Sequence, residues 1–276
     1  MMFVNDRGQM GNNVFQYMQF YAWALEHGRS VMSMRFAYKY QYFKICEMPR
    51  ENMLWRMIGI WGAKLGLMPT VRYEGLDADI EGNEKVIREN ENVLIRGWYV
   101  RYLPLVEKYM PQIREIFEFK KKVSDKVDAF MERNGGAGHN IGLHIRRTDY
   151  VRHMGGRFYF SDEQYAGTMR QVLGQIGDER VNVYVCSDEK VDVEWWRKAL
   201  GTERVYHLGG NPGEDMCLLS KCDRLVGTLS SFTLIASMYR DLPIYWKTHA
   251  EETITLGDFR PYHEMMYRFD KMFTEE

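Results

Sequence analysis

The stretch NIGLHIRRTDY, residues 140–150, decides the fold. Its first six residues, NIGLHI (140–145), form a short apolar run without helical period, the pattern of a buried strand. DEQYAGTMRQVLGQI (162–176) follows, with Tyr165, Met169, Val172, Leu173 and Ile176 at helical spacing, and VNVYVC (181–186) reads as the next strand. The alternation continues with a helix over 191–200, a strand at 203–207 and a helix at 214–221. A strand at 223–227, a helix at 231–240 and a strand at 243–246 complete it. Strands separated by helices at this rhythm predict a parallel, doubly wound α/β sheet. Such a sheet binds its ligand at the carboxyl ends of its strands, where strand order reverses.

The first half is less regular. NNVFQYMQFYAWALEH (12–27) predicts a long amphipathic helix with Asn12 as its N-cap and Gly28 closing it. Strands are expected at 30–34 and 92–98, a helix over 104–118 opening at Pro104, and a charged helix over 122–133. Gly135-Gly136-Ala137-Gly138 is the best linker. The expected division is therefore two α/β domains, residues 1–138 and 139–276.

Composition narrows the class. The 276 residues are 45% hydrophobic and 27% charged, the ordinary globular range. A balance of 37 Lys and Arg against 38 Asp and Glu argues against a nucleic-acid binder, which would carry a basic excess. The balance is uneven, because residues 1–73 hold nine basic and four acidic side chains. Cys46, Cys186, Cys217 and Cys222 show no metal-ligand spacing and read as free thiols in a reducing compartment. No leader pattern and no long apolar run is present, so a cytoplasmic location is expected.

Four local features could carry chemistry. His144-Ile145-Arg146-Arg147-Thr148-Asp149-Tyr150 stands at the carboxyl end of a predicted strand, and guanidinium forks suit phosphate. One arginine can reach an anion while the other is held by Asp149 or by an interdomain surface. A surface salt-bridge cluster would look the same. Ser230-Ser231-Phe232 opens a helix, as an anion site or as a plain N-cap. Ser187-Asp188-Glu189 ends another strand, where an acid can meet a purine edge or ribose, or cap a helix. Gly8-Gln9-Met10-Gly11-Asn12 is a glycine turn that allows close approach of a ligand, without the P-loop or G-x-G-x-x-G pattern.

Together these segments resemble one family. GQMGNNVFQYMQFYAWALEHG is similar to the N-terminal G-x-x-G-N-Q-M-F-Q-Y signature of the α-1,2-fucosyltransferases, glycosyltransferase family 11. HIRRTDY resembles their H-x-R-R-x-D-Y motif, and YVCSDE their strand ending in Ser-Asp-Asp. EDMCLLSKCDRLVGTLSSFTLIASMY resembles the segment in which Leu-Met-Ser precedes Asn-Ser-Ser-Phe-Ser-Trp-Trp. The motifs keep family order from residue 8 to about 240. The sequence departs from the family at Thr148, often Gly there, at Asn13-Val14, and at Leu234 and Ile235 in place of two aromatics.

The resemblance implies a GT-B-like enzyme of two Rossmann-like halves facing across a cleft. Its N-terminal half would serve the acceptor and its C-terminal half would hold the GDP-sugar. The implied reaction transfers fucose from GDP-fucose to the 2-hydroxyl of a galactose-terminated acceptor glycan, with inversion, with no cofactor and no essential metal. On that pattern Arg146 grips the β-phosphate and Arg147 supports it. His144 and Asp188 contact guanine or ribose, and Ser230, Ser231 and Phe232 line the phosphate end. Asp149 orients the arginines or faces the reacting centre, and Gly11 and Asn12 lie near fucose or acceptor. Arg146, Asp149 and His144 are the catalytic candidates, with Asp149 and His153 the candidate bases. Another GDP-sugar transferase, or a non-catalytic nucleotide- or glycan-binding protein, would share the fold.

Residues 53–69, MLWRMIGIWGAKLGLMP, stand outside these motifs. Trp55, Ile58, Trp61 and Leu65 share a helical face beside Arg56 and Lys64, as core, as an acceptor-site lid, or as a peripheral membrane contact at the inner face. The basic first quarter would then face an anionic glycan, a lipid head group or a membrane surface.

Overall fold

Residues 1–75, 77–177 and 180–274 are described by this computed structural model, so residues 275 and 276 of the second expected domain lie outside it. Among the described residues two sheets form, and every strand pairing in them is parallel.

Met1–Lys120, together with the chain from Asp270, make the first compact unit. Its elements are β1 (Met2–Asn5), α1 (Met10–Glu26), β2 (Val31–Ser33), α2 (Met53–Lys64), β3 (Thr70–Tyr73), α3 (Ile80–Glu89), β4 (Val93–Gly97), α4 (Leu103–Lys108) and α5 (Met110–Ile116). The sheet order is β2-β1-β4-β3. Met2, Phe3 and Val4 of β1 are all buried, as expected of a strand in a sheet covered on both faces. Helix α1 is not amphipathic as the spacing predicted. Val14, Phe15, Tyr17, Met18, Phe20 and Trp23 bury it on nearly every side. It begins at Met10 with Gln9 as N-cap, and Asn12 lies inside its first turn. The single helix expected over 104–118 is two, α4 and α5, meeting at Tyr109. Pro111 explains the break, since it has no N–H to bond the carbonyl of Glu107.

A buried acid sits on this core. Both oxygens of Glu51 accept from the Ser33 N–H, at 2.8 and 3.1 Å, and Tyr17 donates to it at 3.3 Å. Burial outweighs these donors and lifts its pKa to about 8. The folded unit therefore holds a proton that the unfolded chain has lost once pH exceeds the ordinary carboxylate range, and stability falls as pH rises toward and through about 8. Thermal unfolding between pH 5 and 9 should show this decline, and Glu51→Gln should flatten it. A decline unchanged in the Gln variant would place the proton elsewhere.

Lys121–Phe269 make the second unit. It runs α6 (Lys121–Asn134), β5 (His139–Ile145), α7 (Asp162–Ile176), β6 (Val181–Ser187), α8 (Val193–Leu200), β7 (Val205–Tyr206), α9 (Pro212–Ser220), β8 (Arg224–Thr228), α10 (Ser231–Met238) and β9 (Ile244–Lys247), and enters α11 (Tyr262–Thr274). The sheet order is β7-β6-β5-β8-β9. The chain builds β6 and β7 to one side of β5, then returns to place β8 and β9 on the other. Strand order thus reverses between β5 and β8, which marks the ligand crevice of such a sheet.

The boundary lies before α6, not at the glycine run. Lys126 pairs with Glu214 and Asp128 with Lys221, each at 2.7 Å, tying α6 to α9 and the turn after it. The glycines serve close approach instead. A Cβ at Gly135 would collide with the Tyr184 hydroxyl, and Arg204 donates to the Gly135 carbonyl at 2.6 Å.

Candidate active site

The carboxyl ends of β5, β6 and β8 gather most of the residues singled out from the sequence. His144, the penultimate residue of β5, pairs in register with Cys186 of β6 and Gly227 of β8. Its ring is buried, stacks on Phe232 at 4.7 Å between centroids, and places Nδ1 2.7 Å from the Thr233 hydroxyl. Burial, with the Arg146 charge adding to it, pushes its pKa down to about 3, so the imidazole is neutral at physiological pH. Gly227 makes room for this, because a Cβ there would sit 3.0 Å from the Thr233 hydroxyl and 3.4 Å from the His144 Cβ. His144 therefore ties β5 to the first turn of α10 across the point where strand order reverses.

Beyond Ile145 the chain leaves the sheet, and the two arginines part. Arg146 donates to both oxygens of Asp149, from Nε and Nη2 at 2.8 Å each, and its Nε lies 3.4 Å from Asp188. Burial opposes its charge, but these carboxylates hold its pKa above the usual value. The fork matching Asp149 leaves Nη1 as the guanidinium edge that no described residue takes. Asp149 is held below the ordinary carboxylate range, chiefly by the Arg146 hydrogen bonds. Arg147 turns the other way. Nη2 donates to Asp162 at the start of α7 at 2.8 Å, and Nε lies 3.0 Å from Glu189 without hydrogen-bond geometry.

Asp188 serves the turn itself. Its oxygens accept from the N–H groups of Arg147 (3.0 Å) and Thr148 (3.2 Å) and from the Thr148 hydroxyl (2.6 Å). Thr148, where the family often has glycine, thus supplies a bond that glycine cannot. Ser230 is buried and caps α10, its hydroxyl accepting from the Phe232 N–H at 3.1 Å. Ser231 is the first residue of that helix, whose dipole favours an anion at this end. Tyr150 donates its hydroxyl to the Leu229 carbonyl, fixing the loop before α10 to the turn after β5. His153 is exposed, with its ring 5.1 Å from that of Tyr150.

Gly11 and Asn12 belong to the first unit. Gly8 takes φ +87°, and the Asn12 side chain folds over the space where its Cβ would stand. The neighbouring Asn13 donates to buried Asp6 at 2.9 Å and to the Arg7 carbonyl at 3.0 Å, while Arg35 bonds the Asp6 carbonyl twice, at 2.8 and 3.1 Å. These bonds hold the glycine turn at the carboxyl end of β1.

Residues 99–241 match the model of glycosyl transferase family 11, which is just over half of the chain. The chain belongs to glycosyl transferase family 11. It is 28% identical over 160 residues to a galactoside 2-alpha-L-fucosyltransferase of Mus musculus, an alignment covering 52% of this chain and 43% of that protein. The match thus spans less than half the length of that curated relative. Among solved structures it is similar to POFUT1 in complex with GDP-fucose, at TM-score 0.62 and 15% identity over 87% of this chain and 93% of that one. NodZ alpha-1,6-fucosyltransferase soaked with GDP-fucose gives TM-score 0.55 and 13% identity over 89% and 94% of the two chains. A mutant of Arabidopsis thaliana FUT1 in complex with GDP gives 0.59 and 14% over 94% and 72%. At these identities the likeness is one of fold.

Three side chains that matter here carried no sequence signal of their own. Thr233 lies in the first turn of α10 and Asp162 opens α7, and the motifs assign neither a role. Asp215 on α9 draws no role from the motifs, yet its Oδ1 is buried without a hydrogen-bond partner, and burial lifts its pKa to about 6. Its backbone carbonyl accepts from Cys186 near the end of β6, so this carboxylate belongs to the same end of the sheet.

Proposed function

We propose that the chain transfers fucose from GDP-fucose to the 2-hydroxyl of a galactoside, inverting the anomeric carbon in a single displacement. The observation that carries this reading is the Arg146 guanidinium, fixed by Asp149 beside the capped N-terminus of α10, in a member of glycosyl transferase family 11. As the glycosidic bond to the β-phosphate breaks, negative charge gathers on the departing oxygen. Arg146 and the first turn of α10 meet that charge in place of a divalent ion. Ser231 and the backbone after Ser230 face the phosphates, and the unpartnered Asp215 oxygen accepts from a base N–H. Asp149 acts as a positioning residue, since a carboxylate locked by two bonds and held low in pKa is a poor proton acceptor. His144 keeps α10 in place as a neutral ring. The first unit serves the acceptor.

The 28% identity to a galactoside 2-alpha-L-fucosyltransferase favours the 2-hydroxyl over other positions. The test offers GDP-fucose and GDP-mannose, each with simple β-galactosides, with and without EDTA, followed by linkage analysis of the product. Turnover with GDP-fucose alone, unchanged by EDTA and giving a 2-linked product, is expected. Transfer from GDP-mannose, loss of turnover in EDTA, or another linkage would each overturn the corresponding part.

A further inference from the structure

Helix α2 is built inside out. Its closest inward approaches are made at its glycines: Gly59, where a Cβ would sit 2.6 Å from the Phe3 ring of β1, and Gly62, where a Cβ would collide with the end of the Met68 side chain. Trp55, Ile60 and Ala63 pack partly on the same cluster. The large apolar side chains point the other way. Leu54 is 69% exposed, Trp61 50%, Leu65 66% and Leu67 77%, and Met53, Met57 and Ile58 join them. Residues 54, 57, 58, 61 and 65 form one helical stripe, so the outer face of this helix is apolar by design of the sequence. The stripe is neither core nor scattered exposure.

The charges around it are of one sign. No acid occurs from Asn52 through Tyr73. Lys39, Arg50, Arg56 and Lys64 enter no ion pair among the described residues, and each lies over an aromatic ring instead. Arg56 and Lys39 are 4.5 and 5.7 Å from the Tyr38 ring, Arg50 5.8 Å from Trp55, and Lys64 4.9 Å from Trp61. At the N-terminal end of α2 a cavity of about 410 Å³ is lined by Leu25, Met48, Arg29 and Arg50 among others. Apolar side chains in the middle and tryptophan and cations at the rim, with Glu51 of the cavity wall buried away from the surface, form the pattern of a helix lying in a lipid interface. A second copy fits poorly, because pairing two such faces would oppose unneutralised cations. Among the described residues no helix is long and apolar enough to cross a membrane.

We infer that α2 and the 65–67 turn seat the protein on an anionic phospholipid surface, with Leu54, Trp61, Leu65 and Leu67 inserted among the head groups. The inference does not depend on which sugar is transferred. The full-length chain should float with vesicles of phosphatidylcholine and phosphatidylglycerol at low ionic strength. With pure phosphatidylcholine or at high salt, binding should fall tenfold or more. Leu54→Glu/Leu65→Glu/Leu67→Glu should lose anionic-vesicle binding while keeping its circular dichroism and GDP affinity, since those side chains are exposed. Arg50→Gln/Arg56→Gln/Lys64→Gln should weaken binding on the order of fivefold per cation removed. The proposal is overturned by absence of wild-type binding to the anionic vesicles or by undiminished binding of the triple Glu variant. It is equally overturned by a dimer that the Glu changes abolish in a protein that ignores vesicles.

Discussion

Arg146→Ala should lower turnover on the order of a hundredfold or more while leaving the protein folded, because removing one preorganised donor to a developing charge costs about 2.7–4 kcal/mol. The geometry separates the two effects. Arg146 sits outside the sheet, and its main partner, Asp149, is an exposed carboxylate that can rehydrate when the guanidinium is gone. The turn itself is held by Asp188, whose bonds to Arg147 and Thr148 do not involve the Arg146 side chain. Arg146→Lys keeps a charge but loses the fork, so a residue bonded to Asp149 through two nitrogens becomes one bonded through one. It should fall between wild type and Ala. The measurement is kcat and KM for GDP-fucose with circular dichroism and thermal unfolding as controls. Near-normal turnover in a folded Arg146→Ala protein would remove this arginine from the chemistry.

The sequence made the second unit legible and the first only partly so, for physical reasons. Parallel strands buried on both faces are continuous apolar runs, and those at 140–145 and 181–186 each extend over seven observed residues. β1 and β3 are four residues each, too short to show any period, and β1 is nonetheless buried in its sheet. Periodicity named a helical face on 53–69 but not its direction. The glycines that turn it outward mean something only beside Phe3, from the other end of the unit's sequence, and Met68, which the turn after the helix folds back. In the site, local order suggested one arginine for an anion and the other held by a partner. It did not show that carboxylates hold both, since Asp162, Asp188 and Glu189 reach them only after folding. Asp188, expected at a guanine or ribose, also bonds the turn after β5, which its place in the sequence did not show.

Lys247→Ala should destabilise the second unit by about 3–5 kcal/mol, the cost of breaking a buried ion pair from one side. Lys247 ends β9 and is 1% exposed, a rare state for lysine. Its three ammonium protons are matched by the Thr168 hydroxyl at 3.0 Å, the Ala250 carbonyl at 3.1 Å and Glu252 at 3.1 Å, and the Phe160 ring lies 5.1 Å away. Removing the side chain takes the charge partner from the largely buried Glu252 carboxylate, whose Thr248 and His249 N–H donors are both a long 3.4 Å away, and opens the contact between β9 and α7. The net value of the pair is a separate quantity from the cost of breaking it. Lys247→Met with Glu252→Gln removes both charges and keeps volume, and should recover most of the loss. Urea unfolding of the wild type, the single and the double variant measures this from the midpoints at constant slope. If the single Ala variant loses less than about 1 kcal/mol, the site relaxes around Glu252 or admits water, and the pair is not a fixed strut between β9 and α7. If the double variant is as unstable as the single one, the loss comes from the neutral bonds to Thr168 and Ala250 and not from the unpaired charge.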